Sequence, residues 1–298
     1  MPELPEVETI VRELRPLVVG RTIRDVWFDW PNQIKHPAPA DFASRARDRE
    51  IMAVERRGKW VIMSLGPQDA PYGEPAPAVL AIQVKMTGQL DVIPLGMPRD
   101  GHVHAVLALD DGNELRMRDT RKFGRLAVYS ASEAERVLGT LGPEPLAEAF
   151  TVAEFRRLLR RRKARLKPLL MDQAFLAGVG NIYADEALWR ARLHPLRSAN
   201  GLRADQESAL YRALRDVLSE AIEHRGSSVD DYRAPGGIGQ MQHRLNVYGR
   251  TGKPCPRCGR PTRRMVIGAR SSHFCSWCQR LPARERTPQA QALLARAE

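Results

Sequence analysis

Cys255-Pro256-Arg257-Cys258 and Cys275-Ser276-Trp277-Cys278 contain all four cysteines of the 298-residue chain, with sixteen residues between the pairs. Two short knuckles, each offering two thiolates, fit a tetrahedral zinc ion. A pair of disulfides would need an oxidising compartment, and no charged-then-apolar signal peptide opens the sequence. Four sulfur ligands leave no position for a reactive water. One structural zinc per chain is therefore expected, stapling a β-ribbon too small to fold alone. The ribbon carries Arg257, Arg260, Arg263, Arg264, Arg270 and Arg280, which suits a phosphate-binding finger.

The basic character extends beyond the ribbon. Lys and Arg number 47 against 35 Asp and Glu, a net charge of +12. That excess favours a polyanionic partner, nucleic acid before an anionic membrane. No apolar run reaches the roughly 20 residues of a membrane-spanning helix. A cytoplasmic location is the expectation, with the protein drawn to the nucleoid through DNA. An apolar share of 43% with 28% charged residues is that of a folded globular protein.

Upstream of the ribbon the sequence changes character twice. Val7, Ile10, Val11 and Leu14 predict an amphipathic helix over 5–18, stopped by Gly20. Short Val/Ile-rich runs follow at 21–29, 50–56, 59–65, 78–86, 103–109, 113–118 and 125–129, separated by Gly, Pro and Asp-Gly turns. Their spacing predicts a sandwich or barrel. Leu141-Gly142-Pro143-Glu144-Pro145-Leu146 marks a boundary, after which 151–165, 168–176, 182–191 and 203–224 have helical periodicity. The expected class is α+β: a β-sandwich domain with a leading helix (1–138), a hinge (139–150), a helical domain (151–243), the zinc ribbon (244–282) and a polar, Ala-rich tail, frayed or weakly helical (283–298). A groove between two basic lobes would suit a duplex. Nothing reads as an assembly seam, so a monomer is expected.

The sequence opens Met1-Pro2-Glu3-Leu4-Pro5-Glu6. Removal of Met1 would expose the secondary amine of Pro2. An α-amine titrates near ~8 rather than lysine's ~10.4, so more of it is unprotonated at neutral pH. Such an amine condenses with a masked aldehyde to an iminium. Glu3 beside it can serve as general acid and base, and Glu6 lies one helical turn on. Acidic residues at a helix start also simply meet the helix dipole.

Further motifs follow in order. They are Arg57-Gly58-Lys59, Met86-Thr87-Gly88, Asp119-Thr120-Arg121-Lys122-Phe123-Gly124, the Leu141–Leu146 hinge, and Asp172-Gln173 through Gly178-Val179-Gly180-Asn181 to Leu188. Together with the opening residues, the stretch from Gly236-Gly237 to Arg250 and the zinc knuckles, they resemble the bacterial formamidopyrimidine-DNA glycosylases, also called 8-oxoguanine DNA glycosylases. The resemblance covers the chain to about residue 282.

That resemblance implies a helix–two-turn–helix DNA-binding domain. It also implies excision of oxidised purines, chiefly 8-oxoguanine opposite cytosine and formamidopyrimidines, followed by β,δ-elimination at the abasic site. By resemblance, Pro2 is the nucleophile, Glu3 the proton carrier and Glu6 a support. Lys59, Asn181 and Arg270 grip phosphates around the flipped nucleotide, and Met86, Arg121 and Phe123 fill the space it leaves. Residues 226–242 correspond to a loop closing over the damaged base, with Ser227, Ser228 and Tyr232 in it. Two positions depart from the family pattern: Gln83 stands where His is frequent, and Thr120 where Pro is usual. Two other readings compete: an endonuclease VIII-type glycosylase for oxidised pyrimidines, and a non-catalytic zinc DNA-binding protein. The intact Arg-Lys-Phe-Gly loop disfavours the first. The second leaves Pro2 and Glu3 without a role.

Overall fold

A computed structural model describes residues 1–67, 78–228 and 236–297. The chain divides into two compact units: Met1–Thr140 with His224–Gln242, and Leu141–Glu223 with His243–Glu298.

The first unit opens with α1 (Leu4–Val18), whose Val7, Ile10, Val11 and Leu14 are fully buried, as the periodicity predicts. Gly20, at φ +78°, turns the chain out of the helix into β1 (Thr22–Phe28). Short β2 (Ile34–His36) and α2 (Pro39–Ala46) lie between the strand-like runs 21–29 and 50–56 of the sequence. Then come β3 (Arg49–Arg57), β4 (Trp60–Pro67), β5 (Ala78–Gln83), β6 (Gly88–Pro94), β7 (Val103–Leu109), β8 (Asn113–Asp119), β9 (Arg125–Ser130) and α3 (Ala131–Leu138).

The strands form one nine-stranded sheet in the order β2-β9-β5-β4-β3-β1-β7-β8-β6. Its two ends share one core with α1: Ile34 and Leu126 from one end and Leu90 and Met117 from the other belong to the same buried cluster. The sheet thus curls over this interior, while Ile62, Ala81, Ala127 and Tyr129 form a second, smaller cluster with Ala134 of α3.

The second unit is helical before the ribbon: α4 (Val152–Arg160), α5 (Leu166–Met171), α6 (Asn181–Arg190) and α7 (Ala204–Glu223). Phe150, Phe155, Phe175 and Tyr211 pack ring against ring at its centre. The hinge motif is stitched to the turn before α6, since Gly142 N–H donates to Gln173 O (2.8 Å) and Ala177 N–H to Pro143 O (3.1 Å). A Cβ on Gly142 would lie 2.7 Å from Ala174 O, so only glycine lets the two stretches of chain approach this closely. β10 (Arg263–Ile267) and β11 (Arg270–Phe274) pair in register as the ribbon hairpin.

Of the two readings of the tail, the helical one holds: α8 (Pro288–Ala295), capped by Thr287, packs on the ribbon, and Ala290 joins Met265, Ile267, Phe274 and Leu281 in one apolar cluster. One segment differs from the sequence expectation. The sequence reading groups residues 226–242 with the helical domain, but His224–Gln242 belongs to the first unit. The reason is chemical: carboxylates on α1 accept the backbone N–H groups of that segment.

Candidate active site

Pro2 is buried behind an exposed Met1, and Glu3 and Glu6 are each only 2% exposed. Glu6 Oε2 accepts the backbone N–H of Glu3 at 2.8 Å, and Glu6 Oε1 accepts that of Ser227 at 2.7 Å. Both carboxylate oxygens are thus committed, one to the start of α1 and one to the segment after α7. Gly226, at φ +72°, makes this possible, because a Cβ there would lie 2.7 Å from Glu6 Oε1.

About two turns further along α1, Glu13 takes a second grip on the same segment. It pairs with Arg225 and accepts the Gly236 N–H at 2.7 Å. Ser228 is held from the other side, its N–H donating to Gln242 Oε1 at 3.0 Å and its hydroxyl accepting from Gly239 N–H at 2.9 Å. The Ser227 hydroxyl oxygen is buried without a partner among the described residues. Tyr232 lies outside the described residues.

Lys59 sits in the tight turn between β3 and β4, where Gly58 takes φ +57°. Arg56 braces that turn by donating to Gly58 O (3.1 Å) and to Glu8 (3.1 Å). The Arg12 and Arg56 guanidiniums outweigh the burial that would raise Glu8 and hold its carboxyl below the ordinary range. Lys85 is nearby. Burial, then the like charges of Arg125 and Lys59, pull its ammonium below the usual lysine value.

Met86 and Phe123 line a cavity of about 400 Å³ together with Met1, Trp30, Lys85 and Lys122. Phe123 is 48% exposed, and the Arg121 guanidinium stacks over its ring at 4.8 Å. Both loops hang from one residue missing from the sequence-derived set: buried Asp119. Its carboxylate accepts the Thr87 hydroxyl from the Met86 loop. It also accepts the N–H groups of Arg121 (3.2 Å) and Gly124 (2.7 Å) from its own loop. Asp119 is the first letter of the quoted motif, so a signal was present.

In the second unit Asn181 is the first residue of α6, after extended Gly180, and its amide oxygen is buried without a partner among the described residues. Its backbone carbonyl accepts from Lys167 Nζ at 2.7 Å, and the same ammonium donates to Asp185 Oδ1 at 2.6 Å. Asp185 Oδ2 in turn accepts the N–H of His273 on β11 at 2.9 Å. The start of α6 and the ribbon strand that Arg270 opens are therefore tied through one buried carboxylate. Lys167 closes the Arg/Lys-rich stretch 156–167, yet it is 1% exposed. Glu186 is likewise buried. Burial pushes its carboxyl up, against the pull of the N–H groups of Tyr248, Val247 and Asn246 that it accepts.

The four Sγ atoms of Cys255, Cys258, Cys275 and Cys278 all lie within 4.8 Å of one another. Trp189 Nε1 donates to Cys255 Sγ at 3.4 Å, and the Cys278 N–H points at Cys275 Sγ at 3.5 Å. Burial raises the Cys255 thiol, but the Trp189 donor and the N–H groups of Arg257 and Cys258 outweigh it and bring it down to about 7. Cys278 is pushed up to about 12 by burial and by its bonds to Cys258 and Cys275. Four thiols crowded this closely ionise together only around a cation, and the spacing suits tetrahedral zinc.

Three family models match in order: the formamidopyrimidine-DNA glycosylase N-terminal domain over residues 1–126, the corresponding H2TH domain over 141–233, and a zinc finger found in FPG and IleRS over 252–281. A formamidopyrimidine-DNA glycosylase of Herpetosiphon aurantiacus is 45% identical over 283 residues, covering 94% of this chain and 100% of the relative.

The chain belongs to the formamidopyrimidine-DNA glycosylase family.

Solved structures agree with the assignment. The MutM (Fpg) protein of Thermus thermophilus superposes with a TM-score of 0.81 at 43% identity, covering 93% of this chain and 98% of that one. A Lactococcus lactis Fpg in complex with abasic-site DNA gives 0.85 at 33% identity, covering 94% and 100%. The α+β class, the helix–two-turn–helix domain and the four-cysteine zinc ribbon are thus family features. No described helix is long and apolar enough to cross a membrane.

Proposed function

We propose that this protein is a bifunctional DNA glycosylase and abasic-site lyase of base excision repair, acting as a monomer on duplex DNA that carries oxidised purines. The observation that supports this best is the head of α1. Pro2 stands next to Glu3, Glu3 is held through its N–H by Glu6, and Glu6 is held in turn by Ser227.

With Met1 removed, the Pro2 amine attacks C1′ of the extruded nucleotide, and the bond from C1′ to the damaged base breaks. Glu3 protonates the sugar ring oxygen as the ring opens, leaving an iminium on Pro2. Loss of a C2′ proton then expels the 3′ phosphate, and a second elimination expels the 5′ phosphate. Hydrolysis of the iminium returns the free amine. Glu6, with one N–H donated to each of its oxygens, is fixed in orientation and acts by positioning.

Lys59, Asn181 and Arg270 hold the phosphates that flank the extruded nucleotide. Met86 and Phe123 replace lost stacking, and Arg121 donates to the orphaned base. Ser227, Ser228 and Tyr232 belong to the segment that covers the damaged base. Zinc, held by Cys255, Cys258, Cys275 and Cys278, keeps the ribbon folded and takes no part in the bond changes. The protein works in the cytoplasm, on nucleoid DNA.

Borohydride trapping on a duplex with a single 8-oxoguanine opposite cytosine tests this reading. A covalent adduct mapped to Pro2 is expected. An adduct on a lysine instead, Lys35, Lys85 and Lys122 being those of the Met1-lined cavity, overturns the Pro2 assignment. Absence of both adduct and strand cleavage from Met1-free, zinc-loaded protein overturns the enzyme reading.

A further inference from the structure

The ribbon arginines fall into two groups. Arg270 stands at the hairpin tip, paired with Ile267, whereas Arg263 and Phe274 close the ladder at the zinc end. Four ladder steps of about 3.4 Å separate the two ends by roughly 14 Å. At the zinc end, Trp277 is 48% exposed, with the Arg260 guanidinium 3.5 Å and the Arg280 guanidinium 3.9 Å from its ring centroid. Two guanidiniums that close cannot share one face, so they sandwich the ring. Arg192, Arg257 and Arg280 line a cavity of about 340 Å³ together with Trp277, Cys258 and Cys278.

These charges have little to balance them. Arg257 is turned inward, over the Trp189 ring at 4.1 Å and donating to Trp189 O at 3.0 Å. Arg192, Arg260 and Arg280 are exposed and, among the described residues, donate to no carboxylate or carbonyl. The sequence from Gly236 to Arg284 contains no Asp or Glu. Zinc with four thiolates carries a net charge of −2, against four guanidiniums.

We propose that this zinc-end cluster is a docking site for an acidic segment of a partner protein, separate from the DNA-gripping tip. The inference rests on the family reading only in assigning Arg270 to DNA. Three observations favour a peptide over a second stretch of nucleic acid. Both faces of Trp277 are already covered by guanidiniums, so a nucleobase cannot stack there. The cations surround a small concavity rather than a stripe that could follow a phosphate backbone. The cluster consists of Trp and Arg, the side chains that dominate protein–protein hot spots. Arg260 and Arg280, splayed by the ring between them, present planar forks that match carboxylates bidentately.

The test uses the full-length zinc-loaded protein and a short fluorescein-labelled peptide rich in Asp and Glu with one central Phe. Its Asn/Gln counterpart is the control. The acidic peptide should bind and should stay bound when the protein is saturated with an abasic-site duplex. The triple variant Arg192→Gln/Arg260→Gln/Arg280→Gln should weaken peptide binding by at least about tenfold, a loss of ~1.4 kcal/mol. It should keep its zinc, its excision rate and the salt dependence of its duplex affinity. Trp277→Leu, which preserves every charge, should also weaken the peptide. Displacement of the peptide by duplex, together with a shallower salt slope in the triple variant, would assign the cluster to DNA and sink the proposal. Peptide binding that is absent, or unchanged in the triple variant, also overturns it.

Discussion

Glu6 and Ser227 are joined across 221 residues by a 2.7 Å hydrogen bond from the Ser227 backbone N–H to Glu6 Oε1. With Glu3 N–H on its other oxygen, Glu6 links the proposed nucleophile to the segment assigned to cover the base. Gly226→Ala would place a Cβ 2.7 Å from Glu6 Oε1 and 2.8 Å from its Cγ, at a φ of +72° that alanine resists. Moving Glu6 should cost about 1.4–2.7 kcal/mol of transition-state stabilisation, so excision of 8-oxoguanine slows by about 10–100-fold. Nicking of a preformed abasic site, which has no base to cover, should fall less. Single-turnover rates on the two substrates check this, and an equal loss on both would refute the link.

Lys167 and Asp185 form a 2.6 Å ion pair with both side chains about 1% exposed or less. Lys167→Met leaves a buried carboxylate without its cation, which should destabilise the second unit by about 3–5 kcal/mol. Asp185→Asn in the same chain removes that charge yet keeps an acceptor for His273. The double variant should therefore regain much of the loss. Urea unfolding of the three proteins decides the matter. No recovery in the double variant would mean that the network's hydrogen bonds, not its charge balance, matter most.

Burial holds His194 neutral, with its titration lowered to about 3 and the Arg197 and Arg286 charges adding to the effect. The geometry agrees, because His194 Nδ1 accepts the Leu196 N–H at 3.1 Å and cannot do so when protonated. Below the ordinary value of 6.5 the unfolded chain takes up a proton that the folded chain refuses. Stability should therefore fall with pH from about 6.5 toward 3, by at most ~1.4 kcal/mol per pH unit from this group. His194→Asn keeps an acceptor and does not titrate, so its urea midpoint should decline less steeply between about pH 7 and about pH 5. Identical slopes would remove His194 from the acid response.

Deleting residues 283–298 strips α8 from Met265, Ile267 and Leu281 and removes Glu285, which accepts the Ser198 N–H at 2.7 Å and faces Arg197 at 2.8 Å. The loss should be about 2–4 kcal/mol in the second unit, with faster zinc release to a chelator. Excision well below the melting temperature should persist, because no residue proposed for the chemistry lies in the deleted stretch. Zinc-release kinetics and single-turnover excision test the two halves of this expectation.

The parts legible in the sequence were those with short-range grammar. The helix over 5–18 and most strands are written in residues a few positions apart, and the zinc knuckles within four. What escaped depends on partners far along the chain. Nothing in the basic stretch 156–167 singles out Lys167 until Asp185 arrives from α6, 18 residues away. The tail looks polar and alanine-rich because its apolar stripe is short, and only Met265 and Ile267 of the ribbon give it something to cover. Strand β6, with Gly88 at its start and Pro94 at its end, carries turn residues at both ends that mask it in the sequence. The segment after α7 followed its sequence neighbours into the helical domain on paper. In the fold it follows the carboxylates of Glu6 and Glu13.

Asp119 has one further consequence. Because a single carboxylate anchors both Thr87 and the Arg121–Gly124 turn, the two wedge loops share a common pivot. Motion of one transmits force to the other, so entry of Met86 and of Phe123 into a duplex should register as one concerted kinetic phase, with a single activation barrier, rather than as two successive ones.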